Sequence, residues 1–207
     1  MKIGGFLKNS FIDWEGKTAA VIFTAGCNFR CGYCHNPSLV LPHLFEQNPK
    51  ISPKEILEFL TERRDWLDGI VITGGEPTIH KDLIDFISSI KALGFLVKLD
   101  TNGTNPDILE RLFQQKLVDF VAMDIKTSLN VPGYHAITNC NNPQIIDLIE
   151  ASINHIRKYQ IPHQFRTTVI PGHHDDGVIE EIKKHLETDV ITLQKYRDSN
   201  PVIHNYS

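Results

Sequence analysis

Three cysteines are the residues best placed to do chemistry here: Cys27, Cys31 and Cys34 in Gly26-Cys27-Asn28-Phe29-Arg30-Cys31-Gly32-Tyr33-Cys34-His35-Asn36. Spacings of four and three let their thiolates wrap one metal centre from a single loop, with Gly26 and Gly32 easing the turns. Soft thiolates favour zinc, copper(I) or an iron–sulfur cluster. A structural zinc site or a fully ligated cluster takes four ligands, and this loop offers three. His35 adjoins Cys34, which makes ligation by both awkward. Cys140 stands 106 residues beyond Cys34 in a polar stretch and reads as an incidental thiol. The spacing favours a three-cysteine cluster with one iron left open; a zinc knuckle is the alternative.

Such a loop needs a scaffold. The chain has 207 residues, 41% hydrophobic and 22% charged, which suits one sizeable core and excludes wholesale disorder. We therefore expect residues 1–207 to form a single domain. Its apolar stretches fall short of the roughly 20 residues that span a bilayer. No apolar leader follows Met1, so a reducing, cytoplasmic setting without disulfides is expected. The net charge of −4 comes without a basic stripe, so neither nucleic acid nor membrane is an expected partner.

Apolar runs at 19–24, 69–73, 96–100, 120–125, 164–170 and 190–194 read as strands covered on at least one face by helices. Helical patterns lie between them. Ser52-Pro53-Lys54-Glu55 predicts a capped start, Asn105-Pro106 and Asn142-Pro143 open two more, Gly94 ends a fourth, and Val178 to Leu186 mark the last. Strict alternation of six strands with five helices implies a parallel sheet with right-handed crossovers. A doubly wound sheet satisfies that pattern, as does the fold we expect, an α/β partial (β/α)6 TIM-like barrel. In both, ligands bind at the carboxyl ends of the strands.

The strand ends carry polar motifs. Thr73-Gly74-Gly75-Glu76-Pro77 exposes backbone groups beside a carboxylate that could meet an ammonium, or is merely a tight turn. In Asp100-Thr101-Asn102-Gly103, Asn102 is the better candidate for a ribose contact, against Asx-turn chemistry. Asp124 and Lys126 share a face by the period of two and either serve a ligand or pair with each other. Arg166 can clamp a carboxylate through two parallel hydrogen bonds, or sits in a surface ion pair. His173-His174 reads as a solvated pair, and Trp14 and Trp66 as packing residues.

The CxxxCxxC spacing with Tyr33 before the last cysteine resembles the signature of the radical S-adenosylmethionine (radical SAM) superfamily, and Gly74-Gly75-Glu76-Pro77 resembles its GGEP motif. The resemblance implies that Cys27, Cys31 and Cys34 hold a 4Fe-4S cluster whose fourth iron takes the methionine end of S-adenosylmethionine. It implies further that Tyr33 lies near the adenine and that Gly74, Gly75, Glu76, Asn102, Asp124, Lys126 and Arg166 surround the cofactor.

MKIGGF, SFIDW, TAGCNFRCGYCHNP, ITGGEPT, GFLVKLDTNG, MDIK and FRTTVIPG extend the likeness along nearly the whole chain. Together they resemble the glycyl-radical-enzyme activases of the branch that activates anaerobic ribonucleoside-triphosphate reductase. The implied reaction begins with an electron from flavodoxin or ferredoxin, which cleaves S-adenosylmethionine to methionine and a 5′-deoxyadenosyl radical. That radical takes a hydrogen atom from a backbone glycine of the partner. The sequence departs from the pattern at Glu15, where relatives often carry proline, and in the brief stretch from Leu193 to Asn200, which lacks a late histidine. Alternatives are an activase of pyruvate formate-lyase type and a small-molecule enzyme such as 7-carboxy-7-deazaguanine synthase.

Overall fold

The computed structural model describes residues 1–47, 51–187 and 189–197; of the C-terminal stretch singled out above, 198–200 lie outside them. Seven strands form one sheet in sequence order: β1 (Ile3–Ser10), β2 (Ala19–Thr24), β3 (Gly69–Gly74), β4 (Leu96–Thr101), β5 (Phe120–Asp124), β6 (His163–Val169) and β7 (Ile191–Lys195). β2 to β7 run parallel and fall where the apolar runs predict. β1 pairs antiparallel with β2 and was not predicted. It is an edge strand whose Leu7, Lys8 and Asn9 are exposed, so it lacks the apolar run that marks the buried strands.

Sequential order decides between the two architectures that alternation allows. A doubly wound sheet needs a point where strand order reverses. None exists here, so right-handed crossovers put every helix on one face and the sheet curls around the other. Among the described residues β7 does not pair with β1, which leaves the barrel partial.

The helices are α1 (Pro37–Val40), α2 (Pro42–Phe45), α3 (Pro53–Glu62), α4 (Leu83–Ala92), α5 (Pro106–Gln114), α6 (Val131–Thr138), α7 (Ile145–Lys158) and α8 (Asp176–Leu186). α3 starts at the expected capping box: Lys54 N donates to Ser52 Oγ at 3.1 Å and Ser52 N to Glu55 Oε2 at 2.9 Å. α7 begins at Ile145 rather than beside Pro143, because Asn142 Oδ1 first accepts from Gln144 N at 3.0 Å in a turn. α6, with Pro132 and Gly133 in its first turn, has no counterpart among the helical patterns expected from the sequence. No described helix is long and apolar enough to cross a membrane.

The two faces of the sheet alternate strictly. Ala20, Ile22, Ile70, Ile72, Val97, Leu99, Val121 and Phe165 join the main core with the helices. Ala19, Val21 and Val71 face the barrel interior, where Trp14 closes the amino-terminal end against Phe120 at 6.2 Å. Trp66 is 74% exposed, so its expected packing role is corrected. With the lower barrel filled by apolar groups, polar side chains gather at the opposite end.

Candidate functional site

A cavity of about 210 Å³ opens at the carboxyl ends of the strands. Cys27, Cys31, Tyr33 and Cys34 line it from the loop after β2; Gly74, Gly75 and Glu76 from the end of β3; Asn102 from just after β4; Asp124 from the end of β5 and Lys126 from two residues beyond it; and Arg166 from β6. Asp100, Thr101 and Thr168 line it as well. A larger cleft of about 510 Å³ between α7 and α8 holds none of these groups.

The cysteine loop is pinned by backbone contacts from three sides. Gly26 N donates to Leu39 O at 2.6 Å, Glu76 N to Gly26 O at 2.8 Å, and Arg30 N to Thr138 O at 2.8 Å. The Arg30 guanidinium donates back to the carbonyls of Cys27 and Phe29, at 2.5 and 2.7 Å. All four cysteines are free thiols.

Burial pushes the Cys27 thiol up to about 12 and Cys31 up to about 11, and it raises Cys34 too. A buried thiol is released as thiolate when a metal replaces its proton. Among the described residues no three His, Cys, Asp or Glu side chains close on a single metal ion; the three thiols border an open cavity instead. This donor set fits a metal–sulfur cluster with one position left to a ligand.

Glu76 is a brace. Its Oε1 accepts from Thr78 N at 3.1 Å, Thr78 Oγ1 at 2.5 Å and Thr101 Oγ1 at 2.7 Å, while Oε2 accepts from Asn102 N at 2.7 Å. Burial raises its pKa even against those four donors, which favour the anion. The carboxylate ties the ends of β3 and β4 together. Asn102 has a similar part: its Nδ2 donates to Asn28 Oδ1 at 2.9 Å, and its Oδ1 accepts from Thr104 N and Oγ1. Asn28 Nδ2 in turn donates to Thr104 Oγ1 at 2.7 Å. The end of β4 is thereby fastened to the cysteine loop.

Inward-facing charges climb the barrel in alternating sign. Lys98 Nζ lies 3.8 Å from Asp100 Oδ1, Arg166 NH1 3.2 Å from Asp100 Oδ2, Arg166 Nε 2.9 Å from Asp124 Oδ1, and Lys126 Nζ 3.0 Å from Asp124 Oδ2. Burial opposes charge on Asp124, yet Lys126 and Arg166 hold its carboxyl down at about 2. Burial opposes the Lys126 ammonium as well, and Asp124, Tyr33 and Cys31 keep it well above the usual lysine range. Asp100 is raised by burial, which Arg166 and Lys98 only partly offset.

Asp124 and Lys126 therefore do pair, and Arg166 bridges two carboxylates inside the barrel, not at a surface. Asp100 was missed as a site residue, although its alternation with Lys98 on β4 was a usable signal. His174, expected in solvent, is 8% exposed.

The Radical SAM superfamily model matches residues 21–185. A Methanocaldococcus jannaschii protein described as a glycyl-radical enzyme activating enzyme is 36% identical over 94% of this chain and 79% of its own length. The pyruvate formate-lyase-activating enzyme of Listeria monocytogenes is 27% identical over 75% of this chain and 64% of its own. In fold, the chain resembles Streptococcus suis SuiB bound to S-adenosylmethionine, with a TM-score of 0.69 at 16% identity, over 89% of this chain and 42% of SuiB.

Proposed function

Because the chain belongs to the radical SAM superfamily, whose members use a 4Fe-4S cluster with S-adenosylmethionine, we propose that it is a glycyl-radical-enzyme activase acting on anaerobic ribonucleoside-triphosphate reductase. The observation that carries this reading is the meeting of three loop thiols and the Lys126 ammonium around one cavity at the strand ends. The likeness to the Methanocaldococcus and Listeria proteins supports an activase. The run of matching segments from MKIGGF to FRTTVIPG supports the reductase as target.

Cys27, Cys31 and Cys34 would hold the cluster. Bound there, cluster and cofactor supply a 5′-deoxyadenosyl radical able to take a hydrogen atom from a backbone glycine. The protein's part is to bind, orient and shield. An ammonium has three donors, and among the described residues the one hydrogen-bond partner of Lys126 Nζ is Asp124. Lys126 thus retains donors for the methionine carboxylate, with Arg166 and Asp124 fixing its direction. Tyr33 would lie beside the adenine, and Gly74 and Gly75 would present backbone to the amino group. Glu76 and Asn102 serve by holding those strand ends, since their oxygens are already bonded within the protein. The unclosed side of the barrel admits the glycine loop, and flavodoxin or ferredoxin supplies the electron.

The test is electron paramagnetic resonance on anaerobically reconstituted protein with reductant, S-adenosylmethionine and the anaerobic reductase of the same organism. We expect a glycyl-radical doublet on the reductase, absent in Cys31→Ala. A doublet arising on a pyruvate formate-lyase and not on the reductase would replace the target. Deoxyadenosine formation with no doublet on either would overturn the activase reading.

A further inference from the structure

Lys126 stands beyond the last residue of β5, past the point where the sheet can hold it. The final contacts of that strand are Ile125 N to Arg166 O at 2.8 Å and Thr167 Oγ1 to Ile125 O at 2.7 Å. From there the Lys126 backbone is gripped by side chains. Its N–H donates to the hydroxyl of Tyr134 at 3.2 Å, and its carbonyl lies 2.8 Å from His174 Nε2. Tyr134 is fully buried on α6, while His174 belongs to the turn after β6.

The turn settles the state of the imidazole. Ile170 N donates to His174 Nδ1 at 3.1 Å, so Nδ1 is an acceptor and the ring proton sits on Nε2. Nε2–H then donates to the Lys126 carbonyl. His174 N also donates to Ile170 O at 3.0 Å, which closes the turn on itself and fixes the ring. A carbonyl drawn out of solvent needs a donor, and the part-buried Lys126 carbonyl receives one from a residue 48 positions away in the chain.

We infer that His174 and Tyr134 are positioning residues for cofactor binding: by holding the Lys126 peptide from both sides they set where its ammonium points. Lys126 shares the cavity with the three thiols, and among the described residues it has no strand partner of its own to steady it. The two grips come from separate crossovers, α6 and the β6–α8 turn, so the Lys126 peptide is tied to both. This inference rests on the proposed reading that Lys126 meets the carboxylate of S-adenosylmethionine.

The test is the dissociation constant for S-adenosylmethionine on anaerobically reconstituted full-length protein, with iron content and the cluster's paramagnetic spectrum before and after cofactor addition. Tyr134→Phe removes one oxygen and keeps the ring; His174→Phe removes both histidine contacts; His174→Gln keeps a donor near the Nε2 position. We expect Tyr134→Phe and His174→Phe each to weaken binding by about 10-fold, the scale of an outer hydrogen-bond partner, with iron content unchanged. His174→Gln should recover most of the loss, which a purely structural role would not demand.

Lys126→Met separates the two readings. If it weakens binding while Tyr134→Phe and His174→Phe do not, the positioning role is overturned and Lys126 stands. If Lys126→Met binds as the wild type does, the proposed role of Lys126 fails first. Should His174→Phe lose its iron, Tyr134→Phe and His174→Gln decide: wild-type affinity in the first, or loss without recovery in the second, overturns the grip.

Discussion

Gly75 lies so close to Gly26 that a Cβ placed on Gly75 would stand 2.0 Å from the Gly26 carbonyl oxygen. That same oxygen accepts from Glu76 N at 2.8 Å, and Gly75 N donates to Thr24 O at 2.9 Å. The start of the cysteine loop and the strand end carrying Glu76 are thus in backbone contact, with no room for a side chain between them.

Gly75→Ala should therefore separate the two segments. We expect a loss of about 2–3 kcal/mol, on the scale of overpacked sites, together with reduced iron uptake. Gly32→Ala is the control: a Cβ there meets nothing within 4 Å, and its stability should stay within about 0.5 kcal/mol of the parent. Urea unfolding midpoints and iron per chain measure both; equal effects from the two variants would refute the close approach.

The metal-free protein should protect its thiols. With Cys27 pushed up to about 12 and Cys31 to about 11 by burial, little thiolate exists at neutral pH. Against a free thiol near 8.5, alkylation at pH 8 should lag by about 100-fold or more at both sites. Mass spectrometry of iodoacetamide-treated protein reads the rate at each cysteine. Because cluster assembly displaces these protons, uptake of iron and sulfide should proceed further at pH 9 than at pH 7.

Asp124 should contribute an acid-sensitive share of stability. Its folded pKa of about 2 lies below the unfolded value of about 3.9, a gap on the order of 2 kcal/mol. The depressed value means that the share is complete above the unfolded pKa and is lost as pH falls through about 2. Unfolding free energies of the parent and Asp124→Asn, measured from pH 6 downward, should converge in that window. A gap that is constant with pH would contradict the pairing with Lys126 and Arg166.

Arg166 joins Asp100 and Asp124, so Arg166→Met leaves two half-buried carboxylates without their shared partner. We expect destabilisation of about 2–3 kcal/mol, below the roughly 3–5 kcal/mol of fully buried pairs. Asp100→Asn should cost far less in the Arg166→Met background than in the parent, since Asp100 is already raised by burial. A double-mutant cycle by urea unfolding measures that coupling, and simple additivity would exclude the charge ladder.

Much of this molecule is legible in its amino-acid sequence. The cysteine spacing, the capping box at Ser52, Gly94 ending α4 and the apolar runs of β2 to β7 are local patterns whose physics acts within a few residues. Asp124 and Lys126 could be placed on one face from the strand period alone. Legibility failed at β1, where an exposed edge strand carries no apolar run, and at α6, where proline and glycine in the first turn mask a helix held by its buried Tyr134.

The sequence by itself determined which residues reach the carboxyl ends of the strands, because alternation of strand and helix leaves those ends one edge to occupy. Tertiary structure alone decided what they do there. The sequential sheet made a partial barrel and turned its inner face into a charge ladder; long-range hydrogen bonds made Glu76 a brace between two strand ends. His174, which reads as solvent-exposed, donates to the carbonyl of Lys126 across 48 residues of chain. Such contacts depend on which segments meet in space. A donor or acceptor shows its type in the sequence, but its partner is fixed only when burial removes water as the alternative.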